Sequence, residues 1–282
     1  MHVKYNLHIL YMNFLKGDCL EVMKTIPNKS IDLIICDLPY GCLTNKQHAD
    51  GTEGKSKGGK KYTATTGCAW DIKIDLEAFW KEVRRIRKDD HTPTIHFCTT
   101  KFGYELIKSN EKEFRYDLVW DKQRGVSFLS ANKMPMRSHE MIYVFSKAGA
   151  FYERKDIVGE FKSGGGGGLV GGSIYDCSNS SRKNKIERVA ARPDKRCILS
   201  VIQQTSSLKK GQHPTEKPSD LYRFLIERYS KEGDTILDPT AGSFNSCFVA
   251  HEMKRRAIGI EKDTKFFWKA ISKSINSVPL QI

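Results

Sequence analysis

A mostly parallel, doubly wound α/β sheet is the fold this chain predicts, on three observations. Apolar runs of strand length alternate with amphipathic runs of helix length along the 282 residues. Several of these runs join through tight turns of small residues, most clearly at 235–245. Only two stretches, 41–68 and about 150–211, break the alternation, so one core carrying an inserted region is expected.

Asn13 to Leu15 reads as a strand leading into Lys16-Gly17-Asp18-Cys19, and Glu21 to Ile26 as a short helix closed by Pro27. Ile31 to Cys36 is an apolar run interrupted only by Asp32, the pattern of a buried strand. Leu76 to Lys88 places Leu76, Phe79, Trp80, Val83 and Ile86 at helical spacing. A strand at Thr94–Cys98, a helix at Phe102–Ser109 and strands at Tyr116–Trp120 and Glu140–Phe145 follow. The C-terminal part reads as helix Leu221–Tyr229, strand Thr235–Leu237, helix Phe244–Met253, strand Ala257–Ile260 and a helix from about Thr264 to Ser274. The expected organisation is therefore half of a core in 1–149 with a long loop at 41–68, an insertion at 150–211, and the other half of the core in 212–282.

Composition narrows the class of protein. Hydrophobic residues make up 39%, enough for a core, and no run of about 18 apolar residues suggests a membrane span. Met1 to Tyr5 lacks a signal-peptide layout, so a cytoplasmic protein is expected. Eight cysteines form no Cys-x-x-Cys pair and no zinc-like cluster, and read as reduced, mostly core residues; no metal site is expected. A net charge of +14 favours a polyanionic partner, above all nucleic acid. The glycine run 164–168 is not followed by Gly-Lys-Ser/Thr and reads as a linker rather than a phosphate loop.

Chemistry concentrates at three places. Asp37-Leu38-Pro39-Tyr40 closes the strand ending at Cys36. Its carboxylate or a backbone carbonyl can accept from an exocyclic amine, Pro39 fixes the chain direction, and Tyr40 can stack on a flat ring. Taken alone, the tetrapeptide reads more simply as an ordinary Asp-x-Pro turn. Asp238-Pro239-Thr240-Ala241-Gly242-Ser243-Phe244-Asn245 is a small-residue turn between strand and helix, where backbone approaches a ligand closely. Roughly 20 residues on, Glu261 ends the next strand, where an acid can bind a ribose diol. The turn is not Gly-x-Gly-x-x-Gly, which disfavours a nicotinamide cofactor. Third, His213-Pro214-Thr215-Glu216-Lys217-Pro218 is stiffened by two prolines just before a helix.

These segments, in this order, resemble the S-adenosylmethionine-dependent amino-methyltransferases of DNA in the permuted arrangement called the beta class. In that family an Asp-Pro-Pro-Tyr tetrapeptide comes first, a target-recognition insertion follows, and a His-Pro-Thr-x-Lys-Pro segment and a cofactor loop come last. The resemblance spans roughly Phe14 to Lys269 and implies a Rossmann-like methyltransferase sheet. It implies that Asp37 and a carbonyl of Leu38 or Pro39 hold the amine of a flipped base while Tyr40 stacks on it. It implies S-adenosylmethionine bound by Asp18, Cys19, Thr215, Lys217, Asp238, Pro239, Thr240, Ala241, Gly242, Ser243 and Glu261. Double-stranded DNA would be met by Lys55, Lys57 and Lys60 of the long loop and by Arg182, Lys183, Lys185, Arg188 and Arg192 of the insertion, mostly through phosphates. A homodimer and a cognate restriction nuclease are further partner expectations. Trp120 is placed in the base pocket or, more simply, in the core.

The leading acid of the tetrapeptide favours N6 of adenine over N4 of cytosine. Methylation of RNA or of protein glutamine, and a catalytically silent DNA-binding protein, are the other readings. Two departures from the family pattern stand out. Leu38 replaces a proline, and Phe244 stands where many members have glycine.

Overall fold

Four strand ends side by side at one edge of a nine-stranded sheet are what the fold provides for function. A computed structural model describes residues 6–9, 12–41, 72–126, 128, 131–158, 195–205 and 216–277. The chain divides into two units, Met1–Glu153 with Ser200–Ile282, and Arg154–Leu199.

In chain order the elements are β1 (Asn6–Ile9), β2 (Met12–Lys16), α1 (Cys19–Met23), β3 (Leu33–Cys36), α2 (Leu76–Ile86), β4 (Thr94–Cys98), α3 (Thr100–Ser109), β5 (Phe114–Val126) and β6 (Arg137–Phe145). Then come β7 (Ile157–Val158), β8 (Lys195–Arg196), β9 (Val201–Gln203), α4 (Ser219–Tyr229), β10 (Thr235–Asp238), α5 (Asn245–Glu252), β11 (Arg256–Glu261) and α6 (Thr264–Ser277). The large sheet has the order β1-β2-β11-β10-β3-β4-β6-β5-β9. Its centre, β2 through β4, is parallel throughout. Antiparallel pairing occurs at β1–β2 and around β6. In the second unit β7 pairs antiparallel with β8.

Alternation along the central strands builds a core on each face, because successive side chains point to opposite sides. Leu33 and Ile35 join Phe14, Phe97 and residues of α4, α5 and α6. Ile34 and Cys36 join residues of α1, α2 and α3 on the other face. Trp120 lies in the first of these cores, its indole N–H donating to the Gln204 carbonyl at 2.8 Å.

Some boundaries differ from those the sequence suggests. The first helix begins at Cys19 rather than Glu21, because the Asp18 carboxylate accepts from the Leu20 amide at 3.0 Å and caps it. The β5–β6 hairpin is much longer than expected. Cys98, the last residue of β4, lies opposite Met141, but β6 starts four residues earlier and β5 runs on to Val126. The hairpin thus projects past the carboxyl ends of β3 and β4. Cys36, Cys98 and Cys247 are buried as expected, whereas Cys197 is exposed. No helix among the described residues is long and apolar enough to cross a membrane.

Candidate active site

A cavity of about 520 Å³ opens at the carboxyl ends of β2, β11, β10 and β3. Gly17 to Leu20 wall it after β2, Asp37 and Pro39 after β3, Pro239 to Ser243 after β10, and Ile260 to Asp263 around the end of β11. Residues 72–75, before α2, and Glu216 and Lys217, before α4, complete it with Tyr222 and Phe266.

Backbone hydrogen bonds lock these turns together. The Gly17 amide donates to the Glu261 carbonyl at 3.0 Å, and the Ala241 amide to the Ile260 carbonyl at 2.9 Å. Gly17 has φ +151°, and a Cβ there would lie 2.8 Å from Val22, so only glycine fits. The Glu261 carboxylate accepts from the Gly242 amide at 2.8 Å and the Asp263 amide at 2.6 Å. Each oxygen keeps a lone pair for a further donor. Burial pushes the Glu261 carboxyl up, and those amides offset part of the effect. Asp18 pairs with Lys262 at 3.1 Å besides capping α1. Burial pushes the Cys19 thiol up to about 12, so it stays protonated.

Asp238 stands behind the wall and not in it. Its buried carboxylate accepts from the Thr240 amide at 3.0 Å and from the Ser246 hydroxyl, which fixes the shape of the turn. Burial pushes this carboxyl up to about 7. Beside it, the Thr240 hydroxyl oxygen is buried with no partner among the described residues. Phe244 explains how the turn dispenses with a second glycine. It adopts the left-handed conformation, φ +58°, with its ring buried 4.8 Å from the Phe14 ring. Gly259 makes room: a Cβ there would lie 2.5 Å from the Phe244 ring.

At the other end of the cavity Asp37 is the last member of a row of charges. The Tyr40 hydroxyl donates to its Oδ1 at 2.5 Å and Lys217 Nζ to its Oδ2 at 2.8 Å. Lys217 is only 5% exposed and stands 3.2 Å from Glu140 Oε2, an ion pair outside hydrogen-bond alignment. Lys122 pairs with the other Glu140 oxygen. Asp37 keeps 20% of its side-chain surface exposed. Burial pushes its carboxyl up, Lys217 pulls it down and Glu140 adds to the rise, leaving it raised. Burial also acts upward on Glu140, but Lys217 and then Lys122 outweigh it and hold that carboxyl down. Lys217 is held protonated by the two carboxylates against its burial. The Tyr40 ring packs on Phe102 with centroids 5.2 Å apart. Leu38 turns its side chain into the core. Asn245 ties this region to the small-residue turn by donating to the Lys217 carbonyl at 2.9 Å.

Of the residues the sequence singles out, the structure brings Asp18, Cys19, Asp37, Pro39, Lys217, Pro239 to Ser243 and Glu261 to one cavity. Tyr40 joins through Asp37. Thr215, Lys55, Lys57, Lys60, Arg182, Lys183, Lys185, Arg188 and Arg192 lie outside the described residues. Glu140 and Lys122 are additions that sequence reasoning missed. Their only signal was a charge beside an apolar run: Glu140 directly precedes Met141–Phe145, and Lys122 follows Leu118-Val119-Trp120 by two residues.

The sheet edge and cavity are those of an S-adenosylmethionine-dependent methyltransferase, and the comparisons agree. Residues 31–272 match the profile of the DNA methylase family, and the chain belongs to that family. It is 45% identical over 266 residues to the type II methyltransferase M2.DpnII of Streptococcus pneumoniae, covering 90% of this chain and 86% of that protein. It is 26% identical over 258 residues to the DNA adenine methyltransferase YhdJ of Escherichia coli, covering 89% and 78%. Among solved structures, the PvuII DNA methyltransferase (cytosine-N4-specific) superposes with a TM-score of 0.61 at 16% identity, covering 96% of this chain and 88% of that one, which shows the shared fold.

Proposed function

We propose that this chain transfers a methyl group from S-adenosylmethionine to the N6 amine of an adenine flipped out of double-stranded DNA. The observation that carries the reading is Asp37. A partly exposed carboxylate stands in the wall of a cofactor-sized cavity, held by Tyr40 and Lys217. A carboxylate accepts from an amine and not from a carbonyl, so it selects a base edge with an exocyclic NH2.

The cavity fits the cofactor in size and in the distribution of its groups. Glu261 has lone pairs for a ribose diol, Asp18 and Asp263 add acceptors at the same end, and Leu20, Ile260 and Phe266 offer apolar surface for a purine. The turn 239–243 brings backbone close to the remainder of the ligand. When bound, S-adenosylmethionine supplies a methyl on a sulfonium sulfur, which keeps the electron pair of the broken S–C bond as a neutral thioether. Asp37 would accept one amine N–H, and the carbonyl of Leu38 or Pro39 the other. That pair of contacts aims the nitrogen lone pair and supplies most of the rate through orientation. The proton that the nitrogen must shed is the one Asp37 holds. Tyr40 would offer a ring face to the flipped base. Because Leu38 would meet the substrate only through its backbone carbonyl, its side chain being in the core, Leu38→Pro should remain active.

The hairpin that projects past the site supports a duplex substrate. Residues 122–139 contain Lys122, Arg124, Lys133 and Arg137 and no acid. Arg124, Lys133 and Arg137 are exposed, as are Met134 and, at 78%, Phe128. A basic extension beside the substrate entry is suited to phosphates. The relative named as a DNA adenine methyltransferase supports adenine over cytosine. Such an enzyme works in the cytoplasm, where the DNA is. Incubation with duplex DNA and S-adenosylmethionine, then nucleoside mass spectrometry, tests the reading. N6-methyladenine is expected; N4-methylcytosine without N6-methyladenine overturns it.

A further inference from the structure

We infer that Glu140 is a positioning residue for methyl transfer: it shares the Lys217 ammonium with Asp37 and so sets how firmly, and with what basicity, the Asp37 carboxylate meets the amine. The inference rests on the proposed role of Asp37.

The geometry is a row of alternating charges. Lys217 Nζ lies 2.8 Å from Asp37 Oδ2 and 3.2 Å from Glu140 Oε2, and Lys122 occupies the second Glu140 oxygen. Four elements supply the row. Asp37 directly follows β3, Glu140 lies on β6 opposite Trp120 of β5, and Lys217 precedes α4. Lys122 follows Trp120 on β5, its Nζ 5.0 Å from that indole ring. A structural ion pair would need only Lys217 and one acid. Here two half-buried acids divide a single buried ammonium, and a second lysine fixes the acid that does not line the cofactor-sized cavity.

The division matters because a carboxylate gripped by an undivided ammonium is a weak acceptor for a neutral amine, while an ungripped one in this setting takes up a proton. Other groups around Asp37 do not replace the row. Tyr40, Cys36, Cys98 and Tyr222 are kept protonated, burial pushing each of them up. Asp238 is engaged by the Thr240 amide and the Ser246 hydroxyl. Glu140 is the anion that opposes Lys217, and Lys122 moderates Glu140.

Opposite charge changes therefore have opposite effects. Glu140→Gln removes the competing anion and leaves Lys217 to Asp37 alone. Lys122→Gln leaves Glu140 uncompensated and draws Lys217 away. Single-turnover methyl transfer by the full chain, measured against pH with duplex DNA and S-adenosylmethionine, reads both. Glu140→Gln should lower the plateau rate about ten- to a hundredfold, the scale of a misaligned reacting group, with KM for both substrates within about twofold. Its acid limb should move to lower pH. Lys122→Gln should move the acid limb to higher pH. Should Glu140→Gln fail to fold, the Lys122→Gln limb still decides. Limbs that stay in place, or move in the same direction, overturn the inference even with Asp37→Ala inactive. An Asp37→Ala enzyme with full activity overturns the underlying reading instead.

Discussion

Replacing Lys217 by methionine keeps most of the side-chain volume and removes the charge on which the site turns. Lys217 is 5% exposed, with Asp37 2.8 Å away and Glu140 at 3.2 Å. At an effective dielectric of about 20, each contact is worth roughly 5–6 kcal/mol of attraction before desolvation is subtracted. Truncating one partner of such a buried pair destabilises by about 3–5 kcal/mol, because the charges left behind are uncompensated. Here two carboxylates would be left together, 20% and 17% exposed. Urea unfolding followed by tryptophan fluorescence at pH 7.5 should show a deficit of about 3–5 kcal/mol against the unmodified chain. The sign of its pH dependence is fixed. Without the ammonium, burial and Glu140 act on Asp37 unopposed by Lys217, so its folded pKa lies further above its unfolded one and the folded state binds more protons. The stability this group contributes is present at low pH and lost as pH rises, so the deficit should shrink at pH 5.5. A deficit under about 1 kcal/mol, or one that grows on acidification, refutes the charge row.

Three further outcomes are expected. His96 is buried among Phe79, Trp80 and Phe145 with both ring nitrogens unpartnered among the described residues, and burial pushes its pKa from 6.5 down to about 3. Only the unfolded chain protonates it below pH 6.5, so acidification to pH 5 removes about 2 kcal/mol of stability through this residue; His96→Leu should lose that increment in urea melts, and an unchanged slope of stability against pH contradicts it. Gly259→Ala should lower stability by about 1–3 kcal/mol through overpacking against Phe244 and weaken S-adenosylmethionine binding, and an unchanged Tm would refute the packing. Replacing Arg124, Lys133 and Arg137 together by alanine should weaken DNA binding and reduce its log–log salt slope by about 0.9 for each phosphate no longer neutralised, whereas an unaltered slope excludes the hairpin from the interface.

The sheet was legible because its central strands are apolar runs that stop abruptly at acids. Ile31–Cys36 before Asp37, and Thr235–Leu237 before Asp238, carry the signal in adjacent residues. The β5–β6 extension was not legible, since its exposed, acid-free residues do not alternate with apolar ones and only pairing with each other makes them strands. Helix α1 was misplaced by two residues because the decisive group, the Asp18 cap, was assigned to ligand binding alone. The charge row was hidden for a different reason. Asp37 and Lys217 are 180 residues apart, and Glu140 comes to them from a third element. Phe244 had the opposite character. It was visible as a departure, but its compensation by Gly259 is a tertiary fact.

Methyl transfer by Asp37→Ala, with S-adenosylmethionine binding followed in parallel by calorimetry, tests the central claim most directly. Asp37 meets the wall of the cavity at one end, while the carboxylate of Glu261 and the 239–243 turn form its other parts. Transfer to duplex DNA should therefore be abolished while cofactor binding stays within a few-fold of the unmodified chain. Full transfer by Asp37→Ala would contradict the role assigned to this carboxylate.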